Sequence, residues 1–453
     1  MMNLNPNMKT LWGKLLGLGL GLVFSLHAEA TTYYVNVSNT VPVAPYTNWP
    51  AAATNIQNAI DISSAGDLIL VTNGVYANAS GASSSRINVS TAVVIQSVNG
   101  PTATKILGSS TLRCVHLASG ATLSGFTLTS GNSLADGGGI FCNTSSTVSN
   151  CIISGNFSTQ FGGGVSGGGW YYNCIISGNI ASKDDGGGGE NGTYNNCLIT
   201  GNYAGISGGG VYVPLAMTNC TVVGNSAGQY GGGVFGGLYG NTGVSTLRNC
   251  IVYYNNANTF SNIYSTPNTP NISNCCTPVF FNSSCITNPP GFVDVTHGDY
   301  HLQLGSPCIN AGDNGSAPPE PDLDGNPRIF GGTIDMGAYE NNLVVANPIH
   351  YVNVNNRNPV TPYTNWPTAA TNIQDAIDSA TNADYIVVGD GVYKAGGRIV
   401  YGSQTNRVVI NKAVTVQSVS GPAMTFIQGN RVFGNTAVRC VYLTNNAVLV
   451  GFT

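Results

Sequence analysis

Short stretches of alternating apolar and polar residues recur along the middle of the chain. The strings VSNCIISGN, YYNCIISGN, YNNCLITGN, MTNCTVVGN and LRNCIVYYN place cysteines at Cys151, Cys174, Cys197, Cys220 and Cys250, with spacings of 23, 23, 23 and 30. In every string the Cys position is apolar, as is the position two later (Ile153, Ile176, Ile199, Val222, Val252). The position three before Cys is apolar too: Val148, Tyr171, Tyr194, Met217, Leu247. Period two puts one inward face on each strand, so a unit reads as strand, turn, strand, turn. Glycine triplets fall between the units, at 137–139, 162–164, 186–188, 208–210 and 231–233. A unit this short cannot bury its apolar side alone, so successive units stack. The pattern therefore predicts an all-β parallel β-helix with about 23 residues per coil.

Stacked coils bring like onto like at a spacing of about 4.8 Å. Two asparagine columns follow, Asn150, Asn173, Asn196, Asn219, Asn249 and Asn156, Asn179, Asn202, Asn225, Asn255. Their amides are expected to bond to each other and to turn backbone, with the triplets supplying positive φ and close turn packing. A longer period is a duplication: PYTNWPAAATNIQNAID returns as PYTNWPTAATNIQDAID, and GDLILVTNGVY as ADYIVVGDGVY. In each copy Ile56, Ala59 and Ile60, or Ile373, Ala376 and Ile377, sit at helical spacing. A short amphipathic helix capping the first coil is expected there.

Composition narrows the picture. The chain has 453 residues, of which 8% are charged, against about 25% in an ordinary soluble domain. Sixty glycines exclude a helical bundle or α-solenoid, and 42% hydrophobic residues exclude disorder. Net charge is −4 with dispersed basic residues, so no nucleic-acid footprint is present. Lys9 and Lys14 precede the apolar run Leu15 to Leu26 and Ala28-Glu29-Ala30, the three-part form of a secretory signal peptide. No later run is long enough for a membrane span. The expected location is secreted or on a bacterial cell surface.

The repeats resemble the right-handed parallel β-helix proteins of the pectin-lyase-like superfamily. GNSAGQYGGGVF and GNYAGISGGGVY also resemble repeats of chlamydial polymorphic outer-membrane proteins. The tail DYHLQLGSPCINAGD, with DLDGNPR and DMGAYE after it, resembles the choice-of-anchor Q family of secreted bacterial β-helix proteins. These readings divide the chain into a signal peptide (1–30), an N-terminal cap (31–92), coils (93–293), a closing segment (294–340), a linker (341–349) and the start of a second, truncated copy (350–453).

Enzymes of the resembled superfamily place carboxylates and a basic residue outside neighbouring coils. The candidates of that kind here are Asp136, Lys183, Asp185 and Glu190. Asp136 and Asp185 share the position before a triplet two coils apart, roughly 10 Å by strand spacing. The superfamily's hydrolase strings NTD and RIK and lyase strings WIDH and RxPxxR are absent, so solvated turn residues are the expected role. Trp170, Tyr172 and Tyr230 are candidates for stacking on sugar rings. Asp322 and Asp324 in EPDLDG have the look of a calcium loop, but Gly331 stands where the loop needs Glu. Asp324 is instead expected to pair with Arg328, and no cofactor is expected. His297 and His301 lie in an extended stretch and are not expected to share a metal. The repeat cysteines are expected to be free buried thiols, with Cys275, Cys276, Cys285 and Cys308 outside the column as candidates for one or two bridges. The expected function is a non-catalytic scaffold or adhesin binding extracellular polysaccharide or the cell envelope. The alternative is a polysaccharide lyase or glycoside hydrolase.

Overall fold

The structure is a computed structural model that describes residues 30–78, 84–236, 245–265, 271–330, 332–342, 348–430, 434, 437–444 and 446–453. The signal-peptide reading falls on residues outside this set, apart from Ala30.

Each repeat contributes one strand to each of three long parallel faces. One coil shows the plan. Ile140–Cys142 lies on the third face, Thr147–Ser149 on the first and Ile152–Ser154 on the second, and the two-residue strand Phe157–Ser158 leads back through the next triplet. Among the described residues the first face is a ten-stranded sheet, the second and third have eight strands each, and the short strands form a fourth ladder of six. Register is residue on residue: Val148 pairs with Tyr171, Tyr171 with Tyr194, Tyr194 with Met217 and Met217 with Leu247. Parallel crossovers of this kind take the right-handed sense, and the chain is a right-handed parallel β-helix.

The core is the set of inward columns. Ile153, Ile176, Ile199, Val222 and Val252 are completely buried, as are Val148, Tyr171, Tyr194, Met217 and Leu247. The Tyr171 and Tyr194 rings stack in the interior at 4.9 Å. Glycine compensates for their volume: a Cβ on Gly189 would lie 2.4 Å from Tyr194 Oη, and one on Gly192 2.7 Å from the Tyr171 ring.

The cysteine column is buried from Cys151 to Cys250 and runs one coil further than the spacing implies. Cys275 is its sixth member, its Sγ accepting the Cys250 N–H at 3.4 Å. The 25-residue step from Cys250 hid it. All twelve cysteines are free thiols, so the expected bridges among Cys275, Cys276, Cys285 and Cys308 are not formed. Cys276 and Cys308 pack instead in an apolar cluster with Leu198, Val223, Ile251 and Met336.

The two asparagine columns do different work. Asn150, Asn173, Asn196, Asn219 and Asn249 all have φ of 51–52°. Each is a left-handed corner between the first and second faces, a conformation Asn tolerates better than most side chains. Along this column only Asn249 and Asn219 bond to each other, at 3.3 Å. The second column is a continuous chain. Asn156, Asn179, Asn202, Asn225 and Asn255 each donate Nδ2–H to the Oδ1 of the next, ending on Asn262. The triplets lie against it, and their middle glycines have no room for a side chain: a Cβ on Gly187 would sit 2.4 Å from the Tyr203 carbonyl.

Residues 292–330 and 332–340 form a strap across the outside of the second face. Its Phe292, Leu302, Cys308 and Met336 cover Leu198, Val223 and Ile251, and its backbone meets the asparagine corners. Asn196 Nδ2 donates to Pro321 O (3.1 Å), Asn219 Nδ2 to Asp335 O (3.1 Å) and Asn249 Nδ2 to Asp313 O (3.1 Å).

The duplicated segments fold alike. Helix α1 (Ile56–Ile62) buries Ile56, Ala59 and Ile60, and helix α2 (Ile373–Ser379) buries Ile373, Ala376 and Ile377. Asn55 and Asn372 cap them through side-chain oxygens. Among the described residues no helix is long and apolar enough to cross a membrane.

Candidate functional site

The outward side of the third face carries a column that the spacing of the triplets encodes. The second residue after each triplet points outward: Phe141, Ser166, Glu190, Tyr212 and Phe235. Pairing extends the column to His116 at one end and Tyr264 at the other. His116 stacks on Phe141 at 5.6 Å, Tyr212 on Phe235 at 5.0 Å and Phe235 on Tyr264 at 4.7 Å. Phe161 flanks Tyr212 at 6.1 Å, and Arg113 lies over Phe141 at 5.3 Å. The middle of the column is polar, with Ser166 Oγ donating to Glu190 Oε2 at 2.6 Å and Asn191 Nδ2 to Oε1 at 2.6 Å.

Three of the four candidate catalytic residues gather beside this polar centre. Asp136 Oδ1 accepts the Phe161 N–H at 3.2 Å, and Asp185 Oδ1 accepts the Ser207 N–H at 2.7 Å. Both donors directly precede a triplet one coil on, so the two aspartates do the same job of fastening neighbouring turns. Burial pushes the Asp185 carboxyl up to about 6. Burial also raises Asp184 and Glu190, with Asp136 close enough to add to both. Tyr212 is raised by burial and then by Asp185, which its hydroxyl faces. Lys183 is exposed and takes part in no ion pair among the described residues. The centre therefore holds Asp184, Asp185 and Glu190, whose ionisation burial resists, with the Arg113 guanidinium at its edge donating to the Asp136 carbonyl at 2.9 Å.

The stacking candidates do not converge. Trp170 and Tyr172 project from the first face, with rings 6.2 Å apart and Trp170 about half exposed. Tyr230 ends a strand of the fourth ladder and packs against the third-face column, 5.1 Å from Tyr264. Phe141, Tyr212 and Phe235 were not among the candidates, although their place after the triplets marks them; Tyr264 joins them only through its pairing with Phe235.

The strap residues turn inward. Asp322 Oδ1 accepts N–H bonds from Asp324 (3.0 Å) and Asn326 (2.7 Å), and its Oδ2 accepts the Glu340 N–H (2.8 Å). Asp324 does not pair with Arg328. It bonds His301 Nε2 at 2.7 Å, while buried Arg328 donates to the carbonyls of Asp335 (3.1 Å) and Gly337 (3.0 Å) beside Glu340. Local turn geometry takes up Asp322, and the antiparallel return carries Arg328 inside. His297 faces Asp294 and is separate from His301. Among the described residues no three His, Cys, Asp or Glu side chains are placed to hold a metal.

No family profile and no curated protein matches the chain. Among solved structures it is similar to a pectate lyase at 14% identity, covering 68% of this chain and 96% of that one with a TM-score of 0.39. It is also similar to a pectin methylesterase from Erwinia chrysanthemi at 14% identity, covering 57% and 93% with a TM-score of 0.36. An alginate lyase aligns at 11% identity over 86% and 72%, with a TM-score of 0.23.

Proposed function

We propose that the protein is a secreted or cell-surface scaffold that binds extracellular polysaccharide along the third face without turning it over. The observation that carries this reading is the run Tyr212, Phe235 and Tyr264, one ring per coil on the outer side of the third face, with half-buried Tyr212 and Tyr264 flanking a buried Phe235. The ring edges and hydroxyls of Tyr212 and Tyr264, with polar neighbours, suit the C–H and hydroxyl groups of sugars, and a coil rise of about 4.8 Å is comparable to the advance of one pyranose along a chain. Polar Ser166, Glu190 and Asn191 at the centre offer hydroxyl partners. Trp170 and Tyr172 make a smaller second platform on the first face.

A polysaccharide lyase or glycoside hydrolase is the second reading, and the gathering of Asp136, Asp184, Asp185 and Glu190 is what favours it. Against it, Asp136 and Asp185 each spend an oxygen on a neighbouring turn, and Lys183 is outside the centre. Affinity electrophoresis in gels cast with plant and bacterial polysaccharides tests binding. Tyr212→Ala with Tyr264→Ala should remove retardation. Release of unsaturated or reducing ends that Asp185→Ala abolishes would replace this reading with the enzymatic one.

A further inference from the structure

A second site lies far from the third face, where the duplicated copy meets the strap. A cavity of about 760 Å³ opens there, walled on one side by Phe280, Asn288 and Asn310 and on the other by Tyr351, Trp366 and Asp390. That volume falls in the range of about 300–1,000 Å³ typical of small-molecule sites. Trp366 and Tyr351 pack at 4.9 Å to make its aromatic wall. Three residues lining it, Trp366, Asp390 and Ser420, each hold a buried polar atom without a hydrogen-bond partner: Nε1, Oδ1 and Oγ. Buried polar groups are ordinarily bonded, so such orphans call for an explanation.

The first copy supplies an internal control. At the equivalent positions it has Thr72, Asn73 and Asn99 where the second has Gly389, Asp390 and Ser420. In the first copy Asn99 Nδ2 bonds Asn73 Oδ1 at 2.8 Å and closes the corner on itself. The second copy has lost that bond. It has also lost a side chain at Gly389, where a Cβ would press on the Trp366 ring at 3.2 Å. The three differences together leave room against the indole at Gly389 and leave an acceptor and a hydroxyl unpaired.

We infer that this cavity is a binding site for a neutral oligosaccharide. The indole and phenol rings offer stacking faces, and asparagine and threonine side chains with Ser420 offer hydrogen bonds to hydroxyls. Asp390 is the one charged residue in the lining. A carboxylate with no cation beside it accepts from sugar hydroxyls and repels a uronate. The site thus selects against the acidic polymers and is separate from the third-face column.

Isothermal titration of the full chain with β-1,4-linked hexasaccharides of glucose, mannose and xylose, and with hexagalacturonate, tests this. At least one neutral hexasaccharide should bind. A triple variant restoring the first-copy residues, Gly389→Thr with Asp390→Asn and Ser420→Asn, should weaken it tenfold or more. That variant repeats a corner the chain already folds, and its melting point should match the parent's. Trp366→Ala should weaken the same binding and leave the gel retardation attributed to the third face unchanged, which separates the two sites. Binding of no neutral hexasaccharide, affinity unchanged in the triple variant, or hexagalacturonate competing equally at this site would overturn the proposal.

Discussion

Asn202 donates its side-chain Nδ2–H to Asn225 Oδ1 at 2.8 Å, and the same oxygen receives the Asn202 backbone N–H at 3.0 Å. Each member of the second asparagine column holds its predecessor twice, and its Nδ2 also reaches a carbonyl on the preceding coil: Asn202 bonds Ile176 O at 2.9 Å.

Removing one amide therefore strands several groups. Asn202→Ala takes the acceptor from Asn179 N, one of the two acceptors from Asn179 Nδ2, which keeps Ile153 O, and the amide donor from Ile176 O, all in a dry interior. At about 1–3 kcal/mol for each buried unsatisfied group, the loss should be several kcal/mol. Urea denaturation should show it as a large fall in midpoint, whereas exposed Asn258→Ala should change little.

Two glycines separate steric from conformational demands. Gly187→Ala forces a Cβ to within 2.4 Å of the Tyr203 carbonyl, and Gly178→Ala meets nothing within 4 Å but keeps φ at +61°. The second change should cost about 1–2 kcal/mol, the penalty of a left-handed L-residue. The first should cost clearly more and broaden the unfolding transition.

The cysteine column predicts a thiol pattern. Burial pushes the Cys151, Cys197 and Cys220 thiols well up, and all three are shut from solvent, while Cys440 is exposed. Titration of the native protein with a thiol reagent should report Cys440 quickly, half-buried Cys285 more slowly and the column only after unfolding. Cys197→Asp should lower the melting point sharply, because a carboxylate there has no partner. An unchanged melting point would contradict the register described above.

The strap should loosen as pH rises. Burial lifts the Glu340 carboxyl to about 8, with Asp335 adding to it, and lifts Asp335 itself to about 6. Folded carboxyls that bind protons more tightly than unfolded ones favour the folded state when protonated. This contribution is full below the unfolded carboxylate range and lost as pH climbs through 6 to 8. Melting points should fall between pH 5 and 8, and Glu340→Gln should flatten that slope.

The coil architecture was legible because stacking repeats every constraint. Cys, Asn and Gly columns return at a fixed interval, and one misread position is outvoted by its neighbours. The strap was less legible. Its footprint was nonetheless written in the outward positions Leu198, Val223 and Ile251, apolar where a solvent-facing strand would alternate. The pairing of Asp324 with His301, rather than Arg328, depends on a chain reversal that local spacing does not reveal. The third-face column shows the opposite failure. Phe141, Tyr212 and Phe235 stand at a regular offset from the triplets, whereas Trp170 and Tyr172, which have the look of loop rings in the sequence, belong to a strand of the first face.

The strap's footholds on Asn196, Asn219 and Asn249 make the solenoid unequal along its length. Excising residues 151–173 would rejoin Asn150 to Cys174 and restore the Asn-Cys step, shortening the rod by one turn where the strap holds no corner asparagine. Excising residues 197–219 restores the same step but removes the Asn219 foothold and draws those at Asn196 and Asn249 one coil closer while the strap keeps its length. Growth and loss of coils are tolerated on the strap-free side, and the strapped side is a gauge that admits one number of turns.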